Sequence, residues 1–189
     1  RLRDMLSGSS KTAVDVTVKW DGAPAVFAGE DPETGEFFVA KKGIFAKNPK
    51  IYKSHADIKA DTSGDLAKKL ILAYDNLKGL GIKGVIQGDF MFDKGDLKTE
   101  NINGVKHIVM HPNTIAYAIP VGTPLAKQIS KATIGIVWHT VYEGATFETM
   151  RADFGREIVG KLKQTSKVWQ VDAKSVSYTH LRAHETLRY

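Results

Sequence analysis

Pro24-Ala-Val-Phe-Ala28 and Glu36-Phe-Phe-Val-Ala-Lys41 are two short apolar runs, joined through Glu30-Asp-Pro-Glu-Thr-Gly35. A linker carrying proline and glycine between two such runs has the chemistry of a β-hairpin turn. An antiparallel hairpin is therefore expected here, and the rest of the chain is read outward from it. On its N-terminal side, residues 13–20 alternate apolar and polar positions with β-branched Val14, Val16, Thr17 and Val18. That pattern predicts a strand ending at Lys19-Trp20.

On the C-terminal side, residues 65–78 place Leu66, Leu70, Ala73 and Leu77 on one face at helical spacing. Ser63-Gly64 precede them, and Gly79 and Gly81 close the run. Residues 84–92, 107–110 and 114–119 read as strands, separated by the turn-forming stretches Asp93-Lys-Gly95 and Asn101-Ile-Asn-Gly104. Residues 123–131 read as a short helix and 134–142 as a buried strand. Residues 147–163 give mixed signals, because Gly155 and Gly160 weaken a helix. The expected class is α+β: antiparallel β-sheets with packed helices, in a single domain over residues 1–175.

The full chain has 189 residues, no cysteine and a formal charge of +6. Lack of cysteine excludes a disulfide framework and any thiolate metal site. No apolar run approaches the roughly 18 residues of a membrane span, so no membrane partner is expected. The basic balance suits a polyanionic partner such as a nucleotide or nucleic acid, though it is common in ordinary domains too. Val176-Ser-Tyr-Thr-His-Leu-Arg-Ala-His-Glu-Thr186 resembles one reading frame of a transposase-type library adapter. Residues 176–189 are accordingly expected to be an adapter-derived tail, and residues 1–175 a fragment of a larger protein.

The stretch that carries chemistry is Lys19-Trp20-Asp21-Gly22, at the end of a predicted strand and before the hairpin. A lysine half buried near other cations can lose its proton and act as a nucleophile. An aspartate two residues on shares its face of an extended chain and can hold a metal or orient the amine. Glycine then allows a tight turn and close approach of a nucleotide. As a bare tetrapeptide the same pattern also describes an exposed β-turn.

The order of features that follows resembles the covalent nucleotidyltransferase superfamily of ATP-dependent DNA ligases, RNA ligases and mRNA-capping guanylyltransferases. Its K-x-D-G motif matches Lys19 to Gly22. Its next element, a strand ending in a basic residue and glycine, is similar to Phe37-Phe38-Val39-Ala40-Lys41-Lys42-Gly43. Its third motif resembles Val85-Ile86-Gln87-Gly88-Asp89-Phe90, with Asp89 where glutamate is usual, and Tyr117 falls where an aromatic tends to lie near the purine. The resemblance implies a ligase-type (ATP-grasp-like) domain with Lys19 and Asp21 as catalytic residues. Gly22, Lys41, Lys42, Asp89 and Tyr117 would bind nucleotide, and Asp89 would hold Mg²⁺. ATP or GTP would be the cofactor, and a DNA or RNA 5′ end the acceptor.

Three departures stand against it. Pro24 occupies the position of a usual arginine. Ile134 replaces the acid in Ile134-Gly135-Ile136-Val137-Trp138-His139, the nearest match to the fourth motif. The final motif needs two lysines flanking one residue on a strand, and its only candidate, Lys161-Leu162-Lys163, falls in a stretch that also reads as helix.

The blocks Trp20-Asp-Gly-Ala-Pro24, Gly88-Asp-Phe90 and His111-Pro-Asn-Thr114 also resemble tailed-bacteriophage proteins. That likeness implies a location in the cytoplasm of an infected bacterial cell. It leaves a second class open, a non-catalytic phage protein that binds nucleic acid or belongs to the virion. The run Lys41-Lys42-Gly-Ile-Phe-Ala-Lys47-Asn-Pro-Lys50 interleaves basic and aromatic residues, and reads equally as a phosphate-tracking loop or a solvated one. His139 reads as a phosphate contact or a strand-end histidine. His107 and His111, four apart on strand-like chain, do not share a face for one metal.

Overall fold

The computed structural model describes residues 23–112, 116–175 and, for the backbone alone, 182–184. The strand expected at 13–20, and with it Lys19, Asp21 and Gly22, lies outside the described residues. Within them the architecture is α+β, with antiparallel pairing throughout except at one strand.

The expected hairpin forms from β1 (Ala25–Glu30) and β2 (Phe37–Ala40). Phe27 lies opposite Ala40 and Glu30 opposite Phe37. The turn is held by Asp31, whose backbone N–H donates to the Glu36 carbonyl at 2.8 Å and whose side chain accepts from the Glu33 N–H at 2.9 Å. Two helices follow, α1 (His55–Asp61) and α2 (Gly64–Leu77). The sequence pattern missed α1, a two-turn helix with a single buried residue, Ile58. So short a segment shows no apolar period; it forms because Ser54 caps it, accepting from the Asp57 N–H, and because Ile58 enters the core.

Next come β3 (Val85–Asp93), β4 (Lys98–Ile102), β5 (Val105–Met110), β6 (Ala116–Pro120), α3 (Pro124–Lys131) and β7 (Ile134–Glu143). The stretch 101–104, expected as a turn, is half strand: only Asn103 and Gly104 turn, both at positive φ, in a two-residue loop of the type that favours Asn-Gly. The chain continues through β8 (Arg151–Phe154) and β9 (Val168–Asp172). β10 (Arg182–His184), within the stretch read as adapter-derived, pairs with β6. Lys161-Leu162-Lys163 is not on a strand. Lys161 ends a short 3-10 turn, and the Lys163 N–H donates to the Leu80 carbonyl, so this backbone bonds to a loop and not to a sheet.

One sheet runs β2-β1-β3-β7-β8, with β9 paired parallel to the first half of β7; the other runs β10-β6-β5-β4. α2 covers one face of the first sheet, packing Leu70, Ala73 and Leu77 with Val26, Ile86, Phe90, Ile136 and Trp138. The opposite face is divided. Phe27, Phe38, Ala40, Ile44 and Val85 form one cluster, while Met91, Phe92, Val137 and Trp169 join Met110, Tyr117 and Ile119 of the second sheet. Among the described residues no helix is long and apolar enough to cross a membrane.

The far end of β3 is fixed by charge. Asp93, 1% exposed, accepts from Lys69 Nζ at 2.9 Å and from the Gly95 N–H at 2.8 Å. Lys69 also pairs with Asp96 and lies over the Phe90 ring, 5.3 Å from its centroid. Burial by itself would raise the Asp93 carboxyl; the hydrogen bond and charge of Lys69, with the Gly95 N–H, outweigh it and hold the group below the usual range. A folded pKa below the unfolded one gives stability that is present above about pH 4 and lost as pH falls through the folded value. Asp93→Ala strips a buried pair of one partner and is expected to cost about 3 kcal/mol in urea unfolding at neutral pH. Between pH 5 and 3, Asp93→Asn should lose less stability than the parent; equal losses would place the acid sensitivity elsewhere.

Candidate functional site

β3 is paired on both sides, so its side chains alternate between the two faces of the sheet. Ile86 and Phe90 point to α2, and Val85, Gln87 and Asp89 to the other face. Asp89 lies opposite Ala25 of β1 and Val137 of β7. Just upstream, the Phe90 N–H donates to the Pro24 carbonyl at 2.8 Å. Pro24 and Ala25, near the start of the described residues, are therefore held beside Asp89.

The pairing of β3 with β7 slips by one residue here: Gln87 faces Thr140 and Gly88 faces Trp138, leaving His139 as the extra residue of a β-bulge. A bulge re-aims side chains. Trp138 stays in the core under α2, while His139 turns to the opposite face, where its Nε2 comes 3.7 Å from Asp89 Oδ1. Its Nδ1 lies 2.6 Å from the Thr140 hydroxyl, which fixes the ring. Asp89 is 8% exposed. Glycine at 88 is required: a Cβ there would lie 2.5 Å from the Val137 carbonyl oxygen and 2.8 Å from the Trp138 ring.

Further along the same face, Phe27 lies across from Gln87. Tyr142, brought to this face by the bulge, donates its hydroxyl to Gln87 Oε1 at 2.6 Å. Burial raises the Tyr142 pKa, so the phenol stays protonated as the donor. Phe45 packs on Tyr142 with centroids 4.6 Å apart, and edge-on to Phe27 at 5.9 Å. A carboxylate with a histidine thus lies two strand positions from an amide and a cluster of three aromatic rings.

Of the residues expected to form the site, Asp89 is at its centre. Lys41 and Lys42 diverge in their surroundings. Lys41 is near enough to Asp61 to help Tyr52 and Lys50 hold that carboxyl below its usual range, whereas Lys42 is exposed in the turn that carries Phe45. Tyr117 is 7% exposed within the core between the sheets, in the same cluster as Val137. Phe45 lies in the basic and aromatic run 41–50, whereas Gln87 and Tyr142 carry no signal of their own in the sequence. Gln87 sits in the quoted third-motif stretch, but nothing in the pattern shows that Tyr142, 55 residues away, binds it.

Among the described residues no three or more His, Cys, Asp or Glu are grouped as metal ligands. Mg²⁺ is commonly held by only one or two carboxylates, together with substrate phosphates and water. Asp89 supplies one carboxylate, 8% exposed.

Gly88→Ala, by forcing a Cβ against the β7 backbone, is expected to cost about 1–3 kcal/mol of stability by thermal or urea unfolding. A variant as stable as the parent would show that the pairing beside Asp89 is not tight.

Compared with known proteins, the chain matches over residues 1–188 the model of a family described as a family of unknown function (DUF6267). No curated protein and no solved structure matches it.

Proposed function

The chain belongs to that family of unknown function, DUF6267, and we propose that it is a nucleotidyltransferase of the polynucleotide-ligase type with Lys19 as its nucleophile. The observation that carries the reading is the entry of the Lys19-Trp20-Asp21-Gly22 segment. Pro24 bonds to Phe90 and Ala25 pairs with Asp89, so the motif's lysine is five residues of chain from the buried carboxylate's neighbour. At about 3.3–3.6 Å per residue that length of chain is enough to reach Asp89.

In the proposed reaction the neutral Lys19 amine attacks the α-phosphorus of ATP or GTP in line. The nitrogen–phosphorus bond forms as the bond to the bridging oxygen breaks. Pyrophosphate leaves with the electron pair, and the amine proton passes to solvent. The nucleotidyl group then moves to a 5′-phosphate end of DNA or RNA. Mg²⁺, when bound, supplies neutralisation of the phosphate charge. Asp21 orients the amine, Asp89 holds the ion or the lysine, and Lys42 offsets charge on the phosphates. His139, with its Nε2 3.7 Å from Asp89 Oδ1, is the nearest described cationic partner for that carboxylate when protonated.

A second reading, a phage protein that binds nucleic acid or belongs to the virion without catalysis, is favoured by one observation. Ile134, at the fourth-motif acid position, is fully buried in the core under α2. Its partner across the ladder, Asp93, is committed to Lys69 and unable to substitute. On either reading the phage likeness supports a place in the infected bacterial cell.

Incubation with α-³²P-labelled ATP or GTP and Mg²⁺ should leave label on the denatured protein, and Lys19→Ala should abolish it. Absence of label with both nucleotides would discard the covalent reading in favour of the binding protein.

A further inference from the structure

The loop after β2 presents its aromatic ring outward. Ile44 is fully buried and anchors the turn, Gly43 takes φ 109°, and the Ala46 N–H closes the turn on the Gly43 carbonyl at 3.2 Å. Phe45 is left 42% exposed. It does not hang free. Its ring rests 4.6 Å from Tyr142 and 5.9 Å from Phe27, and Tyr142 is itself held by Gln87. What sets Phe45 apart from a singly exposed apolar residue is that its ring belongs to a cluster of three aromatic rings on one face of the sheet.

Its charged neighbours divide into two groups. Lys50 pairs with Asp61, and Lys53 with Asp31 and Glu36. Lys42 and Lys47, which flank Phe45 in the same loop, are exposed and make no ion pair among the described residues. A part-exposed ring, tilted against Tyr142 and edge-on to Phe27, between two exposed cations meets both needs of an unpaired strand, a π-face for a base and positive charge for the phosphates on either side.

We propose that Phe45, on its base of Tyr142 and Phe27, is a stacking platform for a base of single-stranded nucleic acid, with Lys42 and Lys47 contacting the flanking phosphates. The proposal rests on the polynucleotide acceptor of the reading above and names the surface that would hold that strand beside Asp89. Charge favours this occupant over a second copy of the chain, which carries the same basic loop and a net positive charge.

Fluorescence anisotropy with a labelled oligothymidylate tests it on the full chain. Phe45→Ala is expected to weaken binding about 5- to 150-fold, and Phe45→Trp to retain it. Lys42→Gln with Lys47→Gln should lower the slope of log affinity against log salt by about 0.7 for each phosphate no longer neutralised. Unchanged affinity in Phe45→Ala, with an unchanged melting curve, would overturn the proposal. So would an ATP affinity that falls in Phe45→Ala as far as the oligonucleotide affinity does, which would assign the ring to a mononucleotide. Concentration-dependent dimerisation abolished by Phe45→Ala would assign it to self-association. Lys19 labelling without a Phe45 effect removes this surface and leaves the enzyme reading; a Phe45 effect without labelling does the reverse.

Discussion

The pairing of β3 with β7 is the constraint on which the other elements depend. Both strands are buried on two faces, and together they border all three apolar clusters. A regular ladder would send every second residue to the same side. The pair is interrupted twice, and each interruption reverses the phase. At the first, Met91 is the extra residue. Phe90 packs under α2, but Phe92 turns into the core between the sheets, over Gly135, where any Cβ would collide with its ring. At the second, His139 is extra, so that Val141 follows Trp138 on the α2 side and Tyr142 reaches the opposite face. One irregularity thus joins the two sheets into a single core, and the other assembles the polar face around Asp89.

Electrostatics divides along the same line. On the α2 side, charge is consumed in holding the structure together: Lys69 with Asp93 and Asp96, Lys50 and Tyr52 with Asp61. These groups are paired and, at Asp93, deeply buried, so they gain strength from the low local dielectric. On the other face, the Asp89 carboxylate has a histidine at 3.7 Å and no lysine among its described partners, and Lys42 and Lys47 lie in solvent. Groups left uncommitted by the fold are the ones open to a ligand. The division also explains the fate of the fourth-motif position, since Ile134 points to the α2 side, where an acid would have to be buried.

Much of the chain was legible from short-range pattern. The β1–β2 hairpin, α2, β3, α3 and β7 carry strong local signals: proline and glycine turns, leucines at helical spacing, long apolar runs. α1, β4 and β8 do not. α1 is too short to show a period, β4 is polar on its open side, and β8 is a four-residue strand at the sheet edge with no fully buried side chain. Such elements exist because neighbours accept their backbone hydrogen bonds. β9, with Val168, Trp169 and Val171, carried a readable signal in a region obscured by the glycines before it. Lys161 and Lys163 formed a pattern by spacing alone; Lys161 ends a 3-10 turn and Lys163 bonds to the Leu80 carbonyl.

By itself the sequence determined the class, α+β with antiparallel hairpins, because period, turn chemistry and residue type are local properties; Gly88 and Asp89 were picked out by resemblance, and the need for glycine at 88 shows only in its contacts with β7. Which side chains face one another was decided only by the tertiary structure. A bulge shifts alternation by one residue without leaving a mark in composition, so strands that are apolar on both faces hide their phase. That is why Tyr142 and Gln87 meet across 55 residues, why His139 reaches Asp89 while Trp138 does not, and why Tyr117 lies in the core between the sheets while Phe45 stands at the surface.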